Sequence, residues 1–219
     1  MPGRKAPEER RREEILRAAF AVAARDRLPA VTARAVAAEA GVSSGLVFFH
    51  FDSIDKLLVE LLDWMLVRAS NAIGREPTTG DSVDPGERLM AAVGRDIGRL
   101  PRERERVEVF FDFWVLGARH PVIRRRLRTA LDRYRSSFVE LSKAAVDADP
   151  ERYAGITPEG LATVAASFVQ GSALQIVLHP AEFDVRRSVA TLAALVRHPV
   201  PALAFAQLDS SKNLQGAAP

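Results

Sequence analysis

Apolar residues recur at intervals of three and four positions in nearly every patterned segment of this chain. The segment from Ile54 to about Ile73 shows the pattern over its length, with Leu57, Leu61 and Met65 in one stripe. Such spacing is typical of an amphipathic helix, whereas a half-buried strand alternates apolar and polar residues with a period of two. No segment shows a sustained alternation of that kind, so the sequence predicts an all-α fold.

Proline, glycine and capping residues divide the chain into a series of predicted helices. These cover about residues 8–24, 33–40, 44–50, 54–73, 88–99, 101–119, 121–147, 158–178 and 185–196. Thr32, Ser43 and Asp184 are expected N-caps, because a short polar side chain can accept a hydrogen bond from a free backbone N–H. Gly41 stands where a helix needs a left-handed C-terminal residue, and the Pro- and Gly-rich segment 76–87 is expected to be a loop.

The composition excludes some kinds of chemistry for this chain and indicates the cellular compartment that suits it. The chain has no cysteine, which rules out disulfides and thiolate chemistry and suits a reducing cytoplasm. Its 31 Lys and Arg residues exceed its 28 Asp and Glu residues by only three, so net charge alone does not indicate a nucleic-acid partner. The first twenty residues lack the apolar core of a signal peptide. The apolar run 161–178 is interrupted by polar residues, which favours a buried helix over a membrane span.

Residues 33–50 read as two short helices joined by a turn that contains glycine. This is the arrangement of a helix-turn-helix, in which the second helix enters the major groove of DNA. Ala37, Ala40 and Val42 supply the small residues needed where the two helices cross. The alternative from the residues alone is an ordinary helical hairpin.

Four short motifs lie in and around this segment: Val31-Thr32, Ala38-Glu39-Ala40-Gly41-Val42-Ser43-Ser44-Gly45, Phe48-Phe49-His50-Phe51 and Lys56-Leu57-Leu58. With these motifs, about residues 10–62 resemble the DNA-binding domain of TetR-type transcriptional repressors. Two positions depart from the family pattern: Phe48 stands where Tyr is usual, and Ile54 stands where Lys is usual. Each departure removes one contact to the phosphate backbone, and such contacts fix register and supply much of the affinity.

The resemblance and the helical geometry together imply a set of DNA-binding residues. They are Thr32, Arg34, Ser43, Ser44, Gly45, Leu46, Phe48, Phe49 and His50. Arg34 is the candidate for a bidentate contact to guanine, and Leu46 can meet a thymine methyl group. Arg34 could instead be a solvated helix residue, Phe49 a core residue and His50 a packing residue. Either an N-terminal arm with Arg4, Lys5, Arg10, Arg11 and Arg12 compensates for the lost phosphate contacts, or the affinity for the operator is modest. The alternative for the arm itself is a solubilising tail.

The remainder of the chain is expected to pair two protomers and to bind a small molecule. Residues 113–121 and 168–180 resemble the ligand and dimer domain of one branch of the family. The division we expect is 1–56 for the arm and DNA-binding domain, 57–200 for the effector-binding and dimerisation domain, and 201–219 for a partly disordered tail. The helix over 161–178 is apolar on nearly all faces and must be covered all round. A dimer partner is the expected cover, although a central helix in a monomer is the alternative. The expected dimer residues are Phe168, Gly171, Gln175, Val189, Leu192 and Val196.

Aromatic residues at helical spacing suggest an effector pocket, although an aromatic stripe can also be plain core. The candidate lining is Trp64, Phe110, Phe111, Asp112, Trp114, Gln170 and Leu174. Asp112 interrupts an apolar run, and it either pairs with an Arg or meets a cationic ligand group. Such a lining favours an apolar or aromatic effector. The seven Arg residues within 119–135 are interpreted as the solvated face of a helix.

The hypothesis from the sequence is a ligand-responsive transcriptional regulator, most simply a repressor. It would bind a palindromic double-stranded operator as a homodimer in the cytoplasm and leave it when a small effector binds, without cofactor, metal or membrane. An all-α enzyme is the first rival, but His50, His120, His179 and His198 lack the Glu-x-x-His spacing of helical metal sites. A regulator whose motif has become a protein-binding module is the second.

Overall fold

The all-α prediction is confirmed, since every regular element among the described residues is helical. The computed structural model describes residues 5–73 and 84–197, with side chains at 8–68 and 84–196. The helices are α1 (Lys5–Asp26), α2 (Ala33–Ala40), α3 (Ser44–Phe51), α4 (Ile54–Ile73), α5 (Pro85–Arg99), α6 (Arg104–Gly117), α7 (Pro121–Ser136), α8 (Val139–Ala148), α9 (Pro158–Leu178) and α10 (Val185–Arg197). Short 3-10 turns cover Leu28–Ala30 and Leu100–Glu103. The predictions for Arg4, for most of the loop and for the tail at 201–219 fall outside the described residues.

The predicted caps of the helix-turn-helix are present. The Thr32 hydroxyl accepts a hydrogen bond from Ala35 N at 3.2 Å, and the Ser43 hydroxyl accepts one from Leu46 N at 3.2 Å. Gly41 ends α2 with φ +64°, a conformation that a side chain would strain. These local contacts fix where α2 stops and where α3 starts.

One predicted helix is wrong, because the expected helix over 121–147 is two helices. The regular helix is interrupted at Ser137 and Phe138, which keep right-handed helical dihedrals, and the Ser137 hydroxyl donates to the Tyr134 carbonyl at 2.6 Å. Serine side chains compete with the backbone for hydrogen bonds in this way and weaken a helix interior. Phe138, at the interruption, is buried in the second core.

Two hydrophobic cores organise the bundle. The first core joins α1–α4 to α6 and α7. Buried residues of the four N-terminal helices share it with Val109 and Phe113 of α6 and with Ile123 and Leu127 of α7. The second unites α5, α8, α9 and α10. Helix α6 therefore shares a core with the N-terminal domain rather than standing apart from it.

Helix α9 is long and apolar enough to cross a membrane by length and composition alone. In the bundle, 44% of its most apolar window is buried, and it packs against α5, α6, α7 and α8. A core helix of a soluble protein passes the same test, and the packing explains the apolar composition.

Candidate nucleic-acid interface and ligand cavity

Helix α3 presents a polar and aromatic face to solvent. Ser43, Gly45, Phe48 and Phe49 are exposed, and Val47 and Phe51 are buried on the opposite face. The Gly45 position is open, because the nearest atom to a Cβ added there would be the Ser43 hydroxyl at 3.8 Å. A convex face with small and polar residues near its N-terminus can approach the floor of a DNA groove.

The aromatic pair at the centre of α3 is unusually open to solvent. Phe49 is 73% exposed and Phe48 is 46% exposed, so the alternative that Phe49 is a core residue is wrong. The Phe49 ring meets the half-buried His50 ring edge-on, with centroids 5.3 Å apart. Apolar side chains held out in water at such a site are typical of a binding surface.

Arg12 joins three helices behind α3. Its guanidinium donates to the His50 carbonyl, pairs with Glu60 of α4 at 2.9 Å and lies 4.5 Å from the centre of the Phe51 ring. The sequence interpretation of a free arm that includes Arg12 is therefore wrong, since α1 begins at Lys5. Arg10 and Arg11 also belong to α1 and pair with Glu14.

Two other cationic side chains of the domain, Arg34 and Lys56, differ in whether they form an ion pair. Arg34 is exposed on α2 and has no ion-pair partner among the residues described. Lys56 pairs with Asp52 at 2.7 Å, and that hydrogen bond lowers the pKa of the Asp52 carboxyl. Ile54 is half-buried and packs on the first core, which is consistent with the loss of the usual Lys there. Thr32, Ser44 and Leu46 border the same surface, with Ser44 and Leu46 half-buried.

A cavity of about 1150 Å³ lies between α4, α5, α6, α7 and α9. Four of the predicted pocket residues line it, namely Phe110, Phe111, Trp114 and Gln170. The Phe111 and Trp114 rings pack edge-on at 5.8 Å, which gives α6 an aromatic wall. Drug-sized ligands occupy cavities of about 300–1,000 Å³, so this cavity is slightly larger than that range and has room for a small organic molecule.

Three predicted pocket residues lie elsewhere. Trp64 packs against Phe20, with ring centroids 5.9 Å apart, and Arg68 lies 4.4 Å over its ring. Leu174 is exposed on the outer face of α9. Asp112 is on the side of α6 away from the cavity, because consecutive residues of a helix point about 100° apart.

Asp112 ties α6 to the end of α1. Its Oδ1 lies 2.5 Å from the Arg27 guanidinium, and its Oδ2 accepts a hydrogen bond from Leu28 N at 3.2 Å. Glu108, one turn earlier, lies 3.5 Å from the same guanidinium. Arg27 has φ +72°, so these contacts hold a residue in a sparsely populated backbone conformation. The sequence pattern found Asp112 unusual but could not show its partner.

One end of the cavity is polar and was not anticipated. The Tyr134 hydroxyl donates to Asp96 Oδ2 at 2.9 Å, and Arg99 pairs with the same carboxylate. Burial, reinforced by the Asp96 charge, raises the pKa of Tyr134 far above its usual value, so the phenol keeps its proton. Arg125, Arg126 and Arg133 of α7 also border the cavity, and all three are exposed, as expected of the solvated face of that helix.

Comparisons with known proteins agree with the geometry. Residues 15–61 match the family model "Bacterial regulatory proteins, tetR family", and residues 85–200 match "BetI-type transcriptional repressor, C-terminal". The chain belongs to the TetR family. Members of this family are DNA-binding transcriptional regulators and not enzymes, and a BetI-like repressor is the branch that the C-terminal match indicates.

Individual relatives support the same assignment. The HTH-type transcriptional regulator BetI of Stenotrophomonas maltophilia (strain R551-3) is 26% identical over 179 residues, covering 81% of this chain and 87% of the relative. A TetR transcription regulator from Haloarcula marismortui is 18% identical with a TM-score of 0.73, covering 86% of this chain and 97% of that one. A transcriptional regulator from Saccharomonospora viridis, solved in complex with choline, is 22% identical with a TM-score of 0.72, covering 87% and 97%. These two structures share the fold.

The residues predicted for pairing divide between two sides of this TetR-family bundle. Leu192 is buried in the second core, and Phe168, Val189 and Val196 pack against the same core. The stripe of α10 therefore faces α5 of its own chain. Gly171 and Gln175 lie instead on an exposed face of α9. That face also carries Thr163, Val164, Ser167, Leu174 and Leu178.

Proposed function

We propose that this regulator binds a palindromic DNA operator as a homodimer and leaves it when a small molecule enters the cavity. The observation that carries the proposal is the position of α6. One face of α6, with Phe110, Phe111 and Trp114, lines the cavity. Another face, with Val109 and Phe113, packs into the core of the helix-turn-helix domain. A shift of α6 therefore acts on both sites.

Operator binding is supported by the exposed face of α3 and by Arg34 beside it. Two α3 helices in successive major grooves would lie about 34–36 Å apart. Arg34 supplies a free guanidinium for a guanine edge, and Phe49 supplies an apolar contact for thymine methyl groups. Ser43 and Ser44 supply hydroxyl groups that can meet phosphate or base edges.

Pairing is supported by exposed apolar residues on the outer side of α9 and α10. Val164, Leu174 and Leu178 of α9 and Leu195 of α10 are each more than 40% exposed. A second copy that brings the same two helices would bury this face in a four-helix interface, with Gly171 permitting close approach. The described part of the protomer leaves this face of α9 exposed, so the face is available for a partner to cover.

Release by an effector is supported by the link between α6 and α1. A ligand that binds one arrangement of α6 more tightly than another shifts the population toward it, and only by that difference in affinity. Arg27, Asp112 and Leu28 then transmit the change, because their contacts join α6 to the helix that frames α2. The choline complex of the Saccharomonospora regulator supports a small-molecule effector in this fold.

Selection of bound duplexes from a random pool tests the proposal. The expected result is an enriched sequence with two-fold symmetry and half-site centres one helical turn or a multiple of it apart. An Arg34→Ala variant should relax the preference at one position in each half-site, and Arg119→Ala, an exposed arginine outside the DNA-binding domain, is the matched control. A pool without any enriched sequence would rule out operator recognition.

A further inference from the structure

The charges that line the cavity are unequal in number among the residues whose side chains the structure describes. Three carboxylates and five guanidiniums belong to this lining. The carboxylates are Asp63, Asp96 and Glu103, and the guanidiniums are Arg99, Arg106, Arg125, Arg126 and Arg133. The cavity therefore carries an excess of positive charge beside the aromatic wall of α6.

Every carboxylate of the cavity already has a cationic partner. Asp96 pairs with Arg99 and accepts the Tyr134 hydroxyl, and Glu103 pairs with Arg106. Asp63 lies 3.5 Å from Arg126. A cationic ligand would have to compete with these guanidiniums for an acceptor, which costs the pairs that already neutralise the acids.

Two of the three cavity guanidiniums of α7 are left without such a partner, whereas the third, Arg126, lies near Asp63. Neither Arg125 nor Arg133 has a carboxylate partner within the described part of the chain. The two are exposed at the edge of the cavity and lie eight residues apart on one helix, or about 12 Å, with Arg133 next in sequence to the half-buried Tyr134. Guanidinium forms charge-assisted, often bidentate hydrogen bonds with carboxylates, which makes an anionic group its best complement.

We propose that the effector is an amphipathic anion, with an apolar or aromatic body against Phe110, Phe111 and Trp114 and a carboxylate-like head on Arg125 or Arg133. This inference rests on the proposed function only in assigning the cavity to an effector. Aromatic faces alone would also attract a quaternary ammonium group through cation–π contact. The paired state of Asp63, Asp96 and Glu103 decides between the two head groups in favour of the anion.

Three probes with one hydrocarbon body test the head group. Calorimetric titration of the full chain with 4-phenylbutyrate, 4-phenylbutanol and 4-phenylbutyltrimethylammonium should give the anion an affinity about tenfold or more above the other two. An Arg125→Gln or Arg133→Gln variant should lower the 4-phenylbutyrate affinity by about fivefold or more and leave 4-phenylbutanol unchanged. Arg135→Gln, on the same helix but outside the cavity lining, is the matched control. Circular dichroism checks that each variant keeps its helices.

The outcomes separate this proposal from the proposed function. Tighter binding of the ammonium probe, no binding of 4-phenylbutyrate up to millimolar concentration, or equal anion affinity in wild type and both variants would overturn the anionic effector. Operator binding is measured independently with DNA alone. If 4-phenylbutyrate binds as expected and no duplex is selected, the effector class stands and the operator function fails. If a duplex is selected and only the ammonium probe displaces the protein, the operator function stands and the anion fails.

Discussion

The carboxylate of Asp112 holds the guanidinium of Arg27 at 2.5 Å across 85 positions of sequence. The Asp112 side chain is only 17% exposed, whereas Arg27 is half exposed. The pair closes the junction between α6 and the end of α1, and it brings a second acceptor oxygen to Leu28 N. Together with the Glu108 contact to the same guanidinium, it is a direct polar connection between the cavity helix and the DNA-binding domain.

An Asp112→Ala change should destabilise the protein by about 1–3 kcal/mol. It leaves the Leu28 N–H without its acceptor and leaves Arg27 with Glu108 alone. The free energy of unfolding in urea measures the effect. Asp132→Ala, which removes an exposed carboxylate 3.5 Å from Arg135, should change it by no more than about 0.5 kcal/mol. Equal values for the two variants would contradict a structural role for the Arg27–Asp112 pair.

Arg12 should matter for stability and Arg10 should not. Arg12→Ala removes the contacts to the His50 carbonyl, Glu60 and the Phe51 ring, with an expected cost of about 1–3 kcal/mol. Arg10 has a side chain that is 83% exposed, so Arg10→Ala should stay within about 0.5 kcal/mol. Urea unfolding compares the two. A larger loss of unfolding free energy for Arg10→Ala than for Arg12→Ala would contradict the stabilising role of the Arg12 contacts behind α3.

Phe49 should contribute to DNA affinity and not to stability. Because the ring is 73% exposed, Phe49→Ala should leave the free energy of unfolding within about 0.5 kcal/mol. The same change should weaken operator binding about five- to tenfold through lost contact with thymine methyl groups. Phe51→Ala is the contrast, since emptying that buried site should cost about 3–5 kcal/mol of stability. Fluorescence anisotropy with labelled duplex measures affinity, and unchanged affinity of Phe49→Ala would remove Phe49 from the interface.

Restoring the usual family residue at position 48 should tighten operator binding. Phe48 is 46% exposed, so a hydroxyl added by Phe48→Tyr meets no buried neighbour and can reach a phosphate. The expected gain is about two- to tenfold in affinity at fixed salt. Phe183→Tyr, which makes the same change next to the second core, is the control and should leave affinity unchanged. No gain for Phe48→Tyr would favour a motif that has become a protein-binding module.

A charge on the outer face of α9 should separate the proposed dimer. Leu174→Glu buries a carboxylate in the interface we propose, and the desolvation of that charge opposes pairing. Sedimentation at micromolar concentration should show a shift from dimer to monomer. Val115→Glu changes an apolar residue that is 76% exposed on α6 and should leave the dimer intact. A wild-type monomer, or a Leu174→Glu dimer, would contradict pairing through α9.

The sequence predicted the parts of the fold that depend on neighbouring residues. Thr32 and Ser43 cap the N-terminal ends of α2 and α3, and Gly41 ends α2, as predicted. Each of these contacts involves residues only a few positions apart. The break between α7 and α8 was not predicted, because Tyr134, Phe138 and Leu141 keep a helical spacing on both sides of it.

The parts that were missed depend on residues far apart in sequence. Arg12 meets Glu60 across 48 positions, and Asp112 meets Arg27 across 85. Periodicity assigns a residue to a face of its own helix and cannot say which helix lies opposite. For the same reason the exposed arginines of α7 were correctly expected to be solvated, but nothing in the sequence placed Arg125 and Arg133 beside the cavity.

The central claim is tested most directly by the affinity for DNA from the region upstream of the gene that encodes this chain. The comparison is a shuffled duplex of equal base composition. The account predicts at least about a thousandfold preference for the upstream duplex at physiological salt. It also predicts that the affinity falls steeply as salt rises from about 50 to 200 mM, since phosphate contacts release counterions. Equal affinity for the two duplexes across that range would contradict the claim that this chain recognises an operator.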